Sequence, residues 1–440
     1  MKFRLGFKFA IVVGVLVLLQ IPILMIQDQV SERNYTRFSV VDEISRSWGP
    51  EQRIIGPILF VPYETIKKEK VWDKKLNQYR DVERTIQHTR LIAPESSHVL
   101  GRVEVTQRKR GIYDAPVYTS HLKLTGKFDL APLQEINGTI GSPELIVMMS
   151  DLTGVLTIPS IQVNQKTIDF TEGGLKNSKG MKAEIKEWVS FSDYEFDLDL
   201  KGSQRISMYP LAKNNVVDLN SNWAHPSFNG LFLPESYQIA TDGFTARWRT
   251  TSLASNTNQL LNHCARGDCG ELMDASYGVT FFEPVNNYTM SDRSAKYAIL
   301  LIITTFAIFF ILETLKSAAV HPVQYLLVGL SLTIFNLLLV ALTEHISFLA
   351  SYAISAFACL ALLTAYAHHI LRRISWLLAF IAVLSSLFVL MYFILLSEDY
   401  AFLMGSGFLF LILAALMLAT RKVDWYQISA GRQGLEKGAA

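Results

Sequence analysis

Two patterns of hydrophobic and polar residues divide this chain of 440 residues. Long apolar runs fill positions 9–26 and 297–420, where charged residues are almost absent. Between them, positions 27–296 mostly alternate apolar and polar residues, which is typical of strands with one buried face. Because a hydrocarbon core of about 30 Å needs about 20 apolar residues in a helix, the apolar runs predict membrane spans. The chain is therefore expected to be a membrane protein with a large inserted β-rich domain.

Six apolar segments are long enough, or nearly long enough, to cross a bilayer. They are Phe9–Ile26, Tyr297–Leu315, Val323–Leu342, Ile346–Ala367, Ile374–Leu396 and Tyr400–Thr420. The first is predicted to be an uncleaved anchor, because its apolar region is long and no small-residue cleavage site follows it. His321 and Pro322 are expected to begin the third helix. The predicted fold class is an α+β membrane protein with one N-terminal and five C-terminal transmembrane helices.

Basic residues predict the orientation of these spans. They precede the first span and then occur in alternate short loops, at Lys316, at Arg372 and Arg373, and at Arg421 and Lys422. The opposite short loops carry acidic residues and no lysine or arginine. This distribution predicts that both termini are cytoplasmic and that the large domain is periplasmic. Arg293 and Lys296, at the outer end of the second span, conflict mildly with the rule.

The predicted domains follow from the spans. Residues 1–26 form the N-terminus and anchor helix, 27–296 the periplasmic domain, 297–420 a five-helix bundle and 421–440 a cytoplasmic tail. The periplasmic domain is expected to begin with an amphipathic helix over 28–48, whose apolar face includes Val30, Phe38, Val41, Ile44 or Ser45, and Trp48.

Strands are expected after this helix. The segment "IIGPILFVPYE" predicts a short buried strand, and the charged residues 67–85 predict a solvated hairpin or loop. Later segments alternate with a period of two and predict a β-sandwich or a related antiparallel fold. Among them, "KAEIKEWVSFSDYEFDLDLKGSQRISMYPL" is expected to contain two strands, with Glu195, Asp197 and Asp199 on one polar face.

Composition narrows the chemistry. The net charge is +2, so no strong field points to nucleic acid, and the three cysteines are too few for a disulfide scaffold. Cys264 and Cys269, in "HCARGDCGE", are expected to form a small disulfide loop in the oxidising periplasm. A metal site formed by these cysteines with His263 is the alternative. No cofactor is expected.

Signatures of hydrolases and nucleotide-binding proteins are missing, since the chain has no GxSxG, HExxH or P-loop sequence. The stretch 221–248 is the richest in polar and aromatic residues and gives a candidate functional surface at Trp223, His225 and Ser227. His225 could act as a base and Ser227 as a nucleophile. A turn between strands is the favoured interpretation, because no acid that would orient the histidine is identifiable. We therefore expect a protein that is not an enzyme.

Polar residues inside the spans are candidates for helix packing or for a transport path. Asn336 lies near the middle of the third span and is expected to bond to another helix. Ser347, Ser351, Ser355 and Cys359 recur at four-residue steps and predict a small-residue face for close helix packing. No charged residue lies in the middle of a span, which argues against a proton-coupled transporter.

Several motifs carry a resemblance to a known family. They are "SWGPEQRIIGPILFVPY", "HPSFNGLFLP", "GFTARW", "SDRSAKYAILLIITTFAIFFILE" and "HPVQYLLVG…TEHISFLASYAISA". In this order, over most of the chain, they resemble the CreD family of bacterial inner-membrane proteins. The resemblance implies a cell-envelope integrity protein of Gram-negative bacteria, tied to a two-component stress response and to β-lactam and colicin tolerance. It brings no catalytic residue and no cofactor.

Three hypotheses remain for the function. The first is non-enzymatic binding or scaffolding through the periplasmic domain, with membrane lipids and other inner-membrane or envelope proteins as partners. The second is a lipid or small-molecule transporter or its accessory subunit. The third is a periplasmic enzyme that modifies the envelope. Nothing in the sequence specifies the oligomeric state.

Overall fold

The computed structural model describes residues 5–73, 78–163, 166–175, 178–186, 191–266, 268–281, 287–316, 320–370, 374–397 and 401–421. The chain divides into two compact units, Met1–Phe38 with Val285–Ala440, and Ser39–Pro284. The boundaries of the β unit, 39 and 284, differ from the predicted ones, 27 and 296. The reason is that the first helix and the helix that follows the β domain both continue beyond their apolar segments into charged sequence.

The first unit consists of helices. They are α1 (Leu5–Trp48), whose last residues belong to the second unit, α6 (Asn287–Lys316), α7 (Pro322–Thr343), α8 (Phe348–Ile370), α9 (Ile374–Leu396) and α10 (Ala401–Thr420). Within the described residues, five helices are long and apolar enough to cross a membrane, namely α1 and α6 to α9. In α10 the described apolar segment is shorter, Leu403–Ala414. Buried residues of these helices form one hydrophobic cluster, which includes Leu332, Leu339 and Phe380.

Helix α7 begins with a complete capping box. The backbone N–H of Val323 donates to His321 Nδ1 at 3.3 Å, and the N–H of His321 donates to Gln324 Oε1 at 2.7 Å. Pro322 occupies the first helical position, where a missing N–H costs nothing. The prediction that His321 and Pro322 begin this helix is confirmed.

Helix α1 continues without a break through the predicted amphipathic segment. Val30, Val41 and Ile44 are buried, as the periodicity predicts, but Phe38 is 62% exposed and its prediction was wrong. The helix ends at Trp48 because Pro50 disfavours a helical conformation at Gly49, which has a φ of +157°. A Cβ at Gly49 would also lie only 2.9 Å from the Lys201 carbonyl oxygen. Glycine is therefore required where the chain leaves the helix.

The second unit is built on two large β-sheets. Its strands are β1 (Gln52–Asp73), β2 (Gln78–Ile92), β3 (Ser96–Arg110), β4 (Tyr113–Lys127), β5 (Thr139–Ile140), β6 (Glu144–Met149), β7 (Ser160–Val163), β8 (Lys166–Asp169), β9 (Thr171–Glu172), β10 (Gly180–Glu184), β11 (Asp193–Ser203), β12 (Arg205–Met208), β13 (Asn214–Ser221), β14 (Pro226–Gly230), β15 (Ser236–Ala240), β16 (Gly243–Thr251) and β17 (Tyr277–Phe281). Short helices α2 (Ala131–Gln134), α3 (Ser252–Ser255), α4 (Thr257–Arg266) and α5 (Gly270–Asp274) connect some of them.

One sheet has nine strands in the order β14-β17-β12-β1-β6-β10-β9, with β2 and β5 also paired to β1. The other has six strands in the order β11-β4-β3-β13-β16-β15. Most pairs are antiparallel, but β1–β12 and β3–β13 are parallel. The two sheets share one hydrophobic core, to which Leu59 and Val147 contribute from the first and Leu122 and Trp248 from the second. This arrangement is a sandwich, as the alternating pattern predicts.

Strand β1 differs from its prediction. It is a strand of 22 residues rather than a short one, and it lies in the middle of the nine-stranded sheet. Its register with β6 shifts between Ile55 and Ile58, so Pro57 falls at a bulge, where a missing N–H is tolerated. The hairpin predicted within residues 67–85 is formed by β1 and β2, apart from 74–77, which lie outside the described residues. The segment expected to contain two strands contains three, β10, β11 and β12.

Candidate functional site

The outer face of the six-stranded sheet carries two clusters of polar side chains. Along β3, Val99 and Val103 point into the core, whereas His98 and Arg102 alternate with them and point outward. The same alternation on β13 and β16 turns Asp218 and Arg247 outward. Since side chains alternate across a strand, the polar pattern on the neighbouring strands produces one continuous polar face.

The register of the strands aligns these outward residues in rows across the sheet. One row consists of cross-strand neighbours from all six strands, Asp199, His121, Arg102, Asn220, Thr245 and Gln238. The adjacent row consists of Asp197, Lys123, Leu100, Asp218, Arg247 and Ser236. We refer to these two rows as the polar sheet face. It presents carboxylates, basic groups and neutral hydrogen-bonding groups side by side.

Asp218 is the centre of an ion-pair cluster on the polar sheet face. Its carboxylate accepts hydrogen bonds from Arg247 Nε at 2.5 Å and Arg247 Nη2 at 3.1 Å, and lies 2.9 Å from His98 Nε2. Partial burial tends to raise the pKa of Asp218, but the hydrogen bonds from Arg247 and His98 outweigh it, so the pKa is lowered. Asp218 is therefore a fixed negative charge at neutral pH, not an acid able to exchange protons.

A second cluster lies at the other side of the polar sheet face. The Asp199 carboxylate is 2.7 Å from His121 Nδ1 and accepts a hydrogen bond from the Thr157 hydroxyl at 2.9 Å. The hydrogen bond with His121 lowers the pKa of Asp199, and partial burial opposes this only in part. Lys123 pairs with Glu195 at 2.6 Å. These contacts hold the charged side chains at this end of the sheet in fixed positions.

An open groove of about 790 Å³ runs over the polar sheet face. Arg102, His121, Asp218, Asn220, Gln238 and Arg247 are among the residues that line it. Within the described ranges of the chain, Arg102 forms no ion pair, and its guanidinium faces the groove between the two clusters. A guanidinium with free donors binds carboxylates and phosphates well. The groove is thus suited to a polar ligand that carries an anionic group and several hydrogen-bonding groups.

The surface predicted at Trp223, His225 and Ser227 forms a turn and an edge strand. Trp223 is half-buried against the core, and its indole N–H donates to the His225 carbonyl oxygen at 3.1 Å. His225 and Ser227 are exposed, and Ser227 lies in β14 opposite Thr280. In the described part of the chain no acidic residue pairs with His225, and no hydrogen bond joins its side chain to Ser227. The geometry therefore brings no catalytic pair together here.

Cys264 and Cys269 are joined by a disulfide that links α4 to the start of α5. Cys264 belongs to a cluster that covers Ile55 and Met148 on one face of the nine-stranded sheet. His263 lies 3.8 Å from Glu271 rather than against the sulfur atoms. Across the residues that are described, no group of three potential ligands is arranged for a metal ion. The disulfide thus holds together α4 and α5, which pack on this face of the sheet.

Asn336 of α7 is buried and makes one hydrogen bond between helices. Its Oδ1 accepts from the Ser294 hydroxyl of α6 at 2.8 Å, while its Nδ2 donates to the Leu332 carbonyl of its own helix at 3.0 Å. Ser291 and Thr343 form a second contact between the same helices at 3.3 Å. The oxygen and the nitrogen of the Asn336 amide thus both form hydrogen bonds within the bundle.

The predicted small-residue face on α8 is present only in part. Ser351, Ser355 and Cys359 are buried, and Cys359 Sγ lies 3.6 Å from the Ser331 carbonyl oxygen of α7. Ser347 is exposed and precedes the helix, where its carbonyl oxygen accepts from the Ser351 N–H at 3.0 Å. Its expected packing role was wrong, because the helix begins at Phe348 and not at Ile346.

The polar sheet face was not singled out from the sequence. The sequence alone assigns only Glu195, Asp197 and Asp199 to a common polar face, because they alternate with apolar residues within one segment. The signal for the rest was also present, since polar residues alternate with apolar ones in "HVLGRVEV", "TSHLKL" and "FTARWR". Alternation does not predict the register of the strands, which places residues of the five other strands of the sheet beside those of β11.

Together, the fold defines a multi-pass membrane protein with a large β-rich domain. Comparison with known proteins makes this specific. The family model described as "Inner membrane protein CreD" matches residues 4–426. The inner membrane protein CreD of Escherichia coli (strain K12) is 33% identical over 445 aligned positions, which cover 99% of this chain and 97% of the relative. The chain belongs to the CreD family, and it is a multi-pass protein of the inner membrane.

Proposed function

We propose that this protein maintains the integrity of the cell envelope by binding, without catalysis, an envelope component in the groove of the polar sheet face. In this proposal six helices cross the inner membrane, both termini are cytoplasmic and the β domain lies in the periplasm. The observation that carries it is the groove, where the Arg102 guanidinium, which forms no ion pair with a described residue, lies between two ordered clusters of charged side chains. The resemblance to the CreD family gives the envelope role.

Charge asymmetry supports the proposed orientation, and local contacts give a reason for the two basic residues that conflict with it. Arg293, near the outer end of α6, donates from Nη1 to the carbonyl oxygens of Leu395 at 3.4 Å and Ser397 at 2.8 Å, at the end of α9. Lys296 pairs with Asp292 at 2.6 Å. A cation is favourable at a helix C-terminus. Both basic residues therefore have local structural reasons for their position, and the short loops are left to decide the orientation.

Helix α10 supports a sixth crossing. It has 20 residues, which at 1.5 Å per residue is about 30 Å, the thickness of a hydrocarbon core. Exposed apolar residues such as Leu403, Phe410 and Leu418 cover its surface. In water such a surface would be costly, whereas in lipid it is favourable. An even number of spans is also what brings both basic termini to the same side.

The electrostatics of the groove favour binding over acid–base chemistry. A general acid or base works best when its pKa lies near the operating pH. The pKa values of Asp199 and Asp218 are instead lowered by their hydrogen-bonding partners. Carboxylates that stay ionised and paired are rigid and hold their basic neighbours in position. Such a face is prepared for recognition.

A charge reversal in the groove tests this proposal. Arg102→Glu should abolish rescue of the envelope defects in a strain that lacks the gene, because it places an acid where the ligand's anionic group would bind. Lys109→Glu, on the same strand but outside the groove, is the matched control and should rescue fully. Protein levels in the membrane are measured for both variants. Full rescue by Arg102→Glu at normal levels would contradict groove binding.

The enzyme hypothesis is tested in the same strain. His225→Ala and Ser227→Ala should rescue normally, because the two exposed side chains form no catalytic pair with each other. Loss of rescue by either variant, at normal protein levels, would replace binding by catalysis as the proposed function.

A further inference from the structure

The long hairpin of β1 and β2 extends beyond the sheet that contains it. The pairing of β1 with β5 ends at Tyr63 and Glu64, and residues 66–73 of β1 pair only with residues 78–85 of β2. We call these two segments the distal ribbon. At about 3.3 Å per residue its length is about 26 Å. Its described side chains are exposed on both faces, apart from the half-buried Glu69 and Val82.

Large apolar side chains are exposed on this ribbon. Trp72 and Tyr79 are cross-strand neighbours at its far end and pack edge to face, with ring centroids 5.0 Å apart. Ile66, Val71 and Tyr79 are also well exposed to solvent. An isolated two-stranded ribbon is only marginally stable in water, and exposed apolar groups add to this cost. The ribbon thus has the properties of a surface that becomes covered.

Charge is distributed unevenly along the ribbon. Near its base, Lys68 pairs with Glu83 at 3.2 Å, and Glu69 pairs with Lys67 at 3.2 Å and with Arg84 at 3.7 Å. Near the far end, Lys70 and Arg80 form no ion pair with any described residue. Residues 70–81 of the sequence contain four lysines or arginines and two acids, one of which, Asp81, is the cross-strand neighbour of Lys70. The basic groups beside the aromatic pair are therefore available for an anionic partner.

We propose that the distal ribbon binds the headgroup region of an anionic phospholipid bilayer. Tryptophan and tyrosine prefer the membrane interface, because their rings are apolar and their N–H and O–H groups remain hydrated. Lysine and arginine beside them are attracted to anionic headgroups. The end of the ribbon is exposed on both faces, and a bilayer interface can surround both of them, whereas a folded protein partner would cover one. This binding is independent of the groove on the polar sheet face.

An environment-sensitive fluorophore on the full-length protein tests the inference. Val71→Cys places the label beside Trp72, and Ile239→Cys places it on β15 as a matched control, since both native side chains are exposed and apolar. Selective labelling is feasible because Cys264 and Cys269 are bonded and Cys359 is buried. The protein is placed in nanodiscs of phosphatidylcholine, with or without phosphatidylglycerol. Vesicles of the same composition are added in a second arm, so that the two arms distinguish the protein's own bilayer from a separate one.

We expect the emission at position 71 to move to shorter wavelength only where phosphatidylglycerol is present, in at least one arm, and the emission at 239 to stay constant. Trp72→Ala with Tyr79→Ala should abolish the shift. Lys70→Gln and Arg80→Gln should each weaken the lipid response about fivefold. The proposal is overturned by a label that does not respond to phosphatidylglycerol in either arm, by an equal response to phosphatidylcholine alone, or by a response that survives loss of both aromatic rings.

Discussion

The hydrogen bond between Ser294 and Asn336 allows a quantitative test of what a buried polar residue does in this bundle. Both residues are 2% exposed, and their side-chain oxygens are 2.8 Å apart. Hydrogen bonds between transmembrane helices contribute about 0.6 kcal/mol on average and about 1.7 kcal/mol at most. Asn336→Leu alone is hard to interpret, because leucine itself is favoured in hydrocarbon. The informative quantity is the coupling free energy between the two positions.

That coupling can be measured with a double-mutant cycle on the purified full-length protein. Asn336→Leu, Ser294→Ala and the double variant are unfolded reversibly in mixed micelles, and the free energies of unfolding are compared. We expect a coupling of about 0.6 to 1.7 kcal/mol. Ser386→Ala is the matched control, because the Ser386 hydroxyl is exposed and donates to the Val383 carbonyl of its own helix at 2.7 Å. Its effect should add to that of Asn336→Leu.

Two results would refute the packing role of Asn336. A coupling below about 0.3 kcal/mol is within the usual error of additivity and would mean that the bond contributes nothing to stability. Loss of envelope rescue by Asn336→Leu, with a normal level of folded protein, would instead favour the transport hypothesis. Rescue with a measurable coupling is the result that the structure predicts.

Three further predictions concern the β domain. The pKa values of Asp199 and Asp218 are lowered in the folded protein, so these carboxylates stabilise it fully above their unfolded pKa of about 3.9. This stabilisation is lost as the pH falls through the folded pKa values. The free energy of unfolding, measured as a function of pH, should therefore decrease below about pH 4, and Asp218→Asn should make that decrease smaller. Trp48→Ala should cost roughly 2 kcal/mol or more in the free energy of unfolding, because the ring lies 4.5 Å from the Arg108 guanidinium and its N–H donates to a carbonyl oxygen; an unchanged midpoint in denaturant would contradict this. Replacing both bonded cysteines by serine should cost about 2 kcal/mol, the chain-entropy value for so short a loop, and reductant should then no longer change the midpoint.

Local sequence patterns predict the helices and strands of this protein better than they predict which strands pair with each other. The helices of the bundle follow from the length of the apolar segments, and the sandwich of strands follows from the alternation of apolar and polar residues. The sequence predicts a short strand β1, because beyond Tyr63 apolar and polar residues no longer alternate. The structure gives the reason, since both faces of the strand are exposed there and need no apolar side. Phe38 fits the helical period but is exposed, because it lies between Val30 and Val41, which belong to two separate hydrophobic clusters. Periodicity identifies a helix face but does not show which positions on it are covered.

The side-chain clusters of the polar sheet face could not be predicted, because they depend on the pairing of strands that are far apart in the sequence. Asp199 and His121 are 78 residues apart, and Asp218 and His98 are 120 apart. Nothing local indicates that β4 pairs with β11, or that β3 and β13 run parallel. The same holds for Asn336, whose need for a partner could be predicted from its burial in lipid but whose partner Ser294 could not. The groove therefore becomes visible only in the folded sheet.

The side of the membrane on which the β domain lies is the central claim, and labelling of single cysteines with a membrane-impermeant maleimide tests it most directly. Lys109→Cys, on an exposed part of β3, and Arg421→Cys, after the last helix, are compared in cells with a permeabilised outer membrane. We expect the cysteine at 109 to react in cells with an intact inner membrane, and the cysteine at 421 to react only after the inner membrane is broken. Labelling at 421 but not at 109 in intact cells would contradict it.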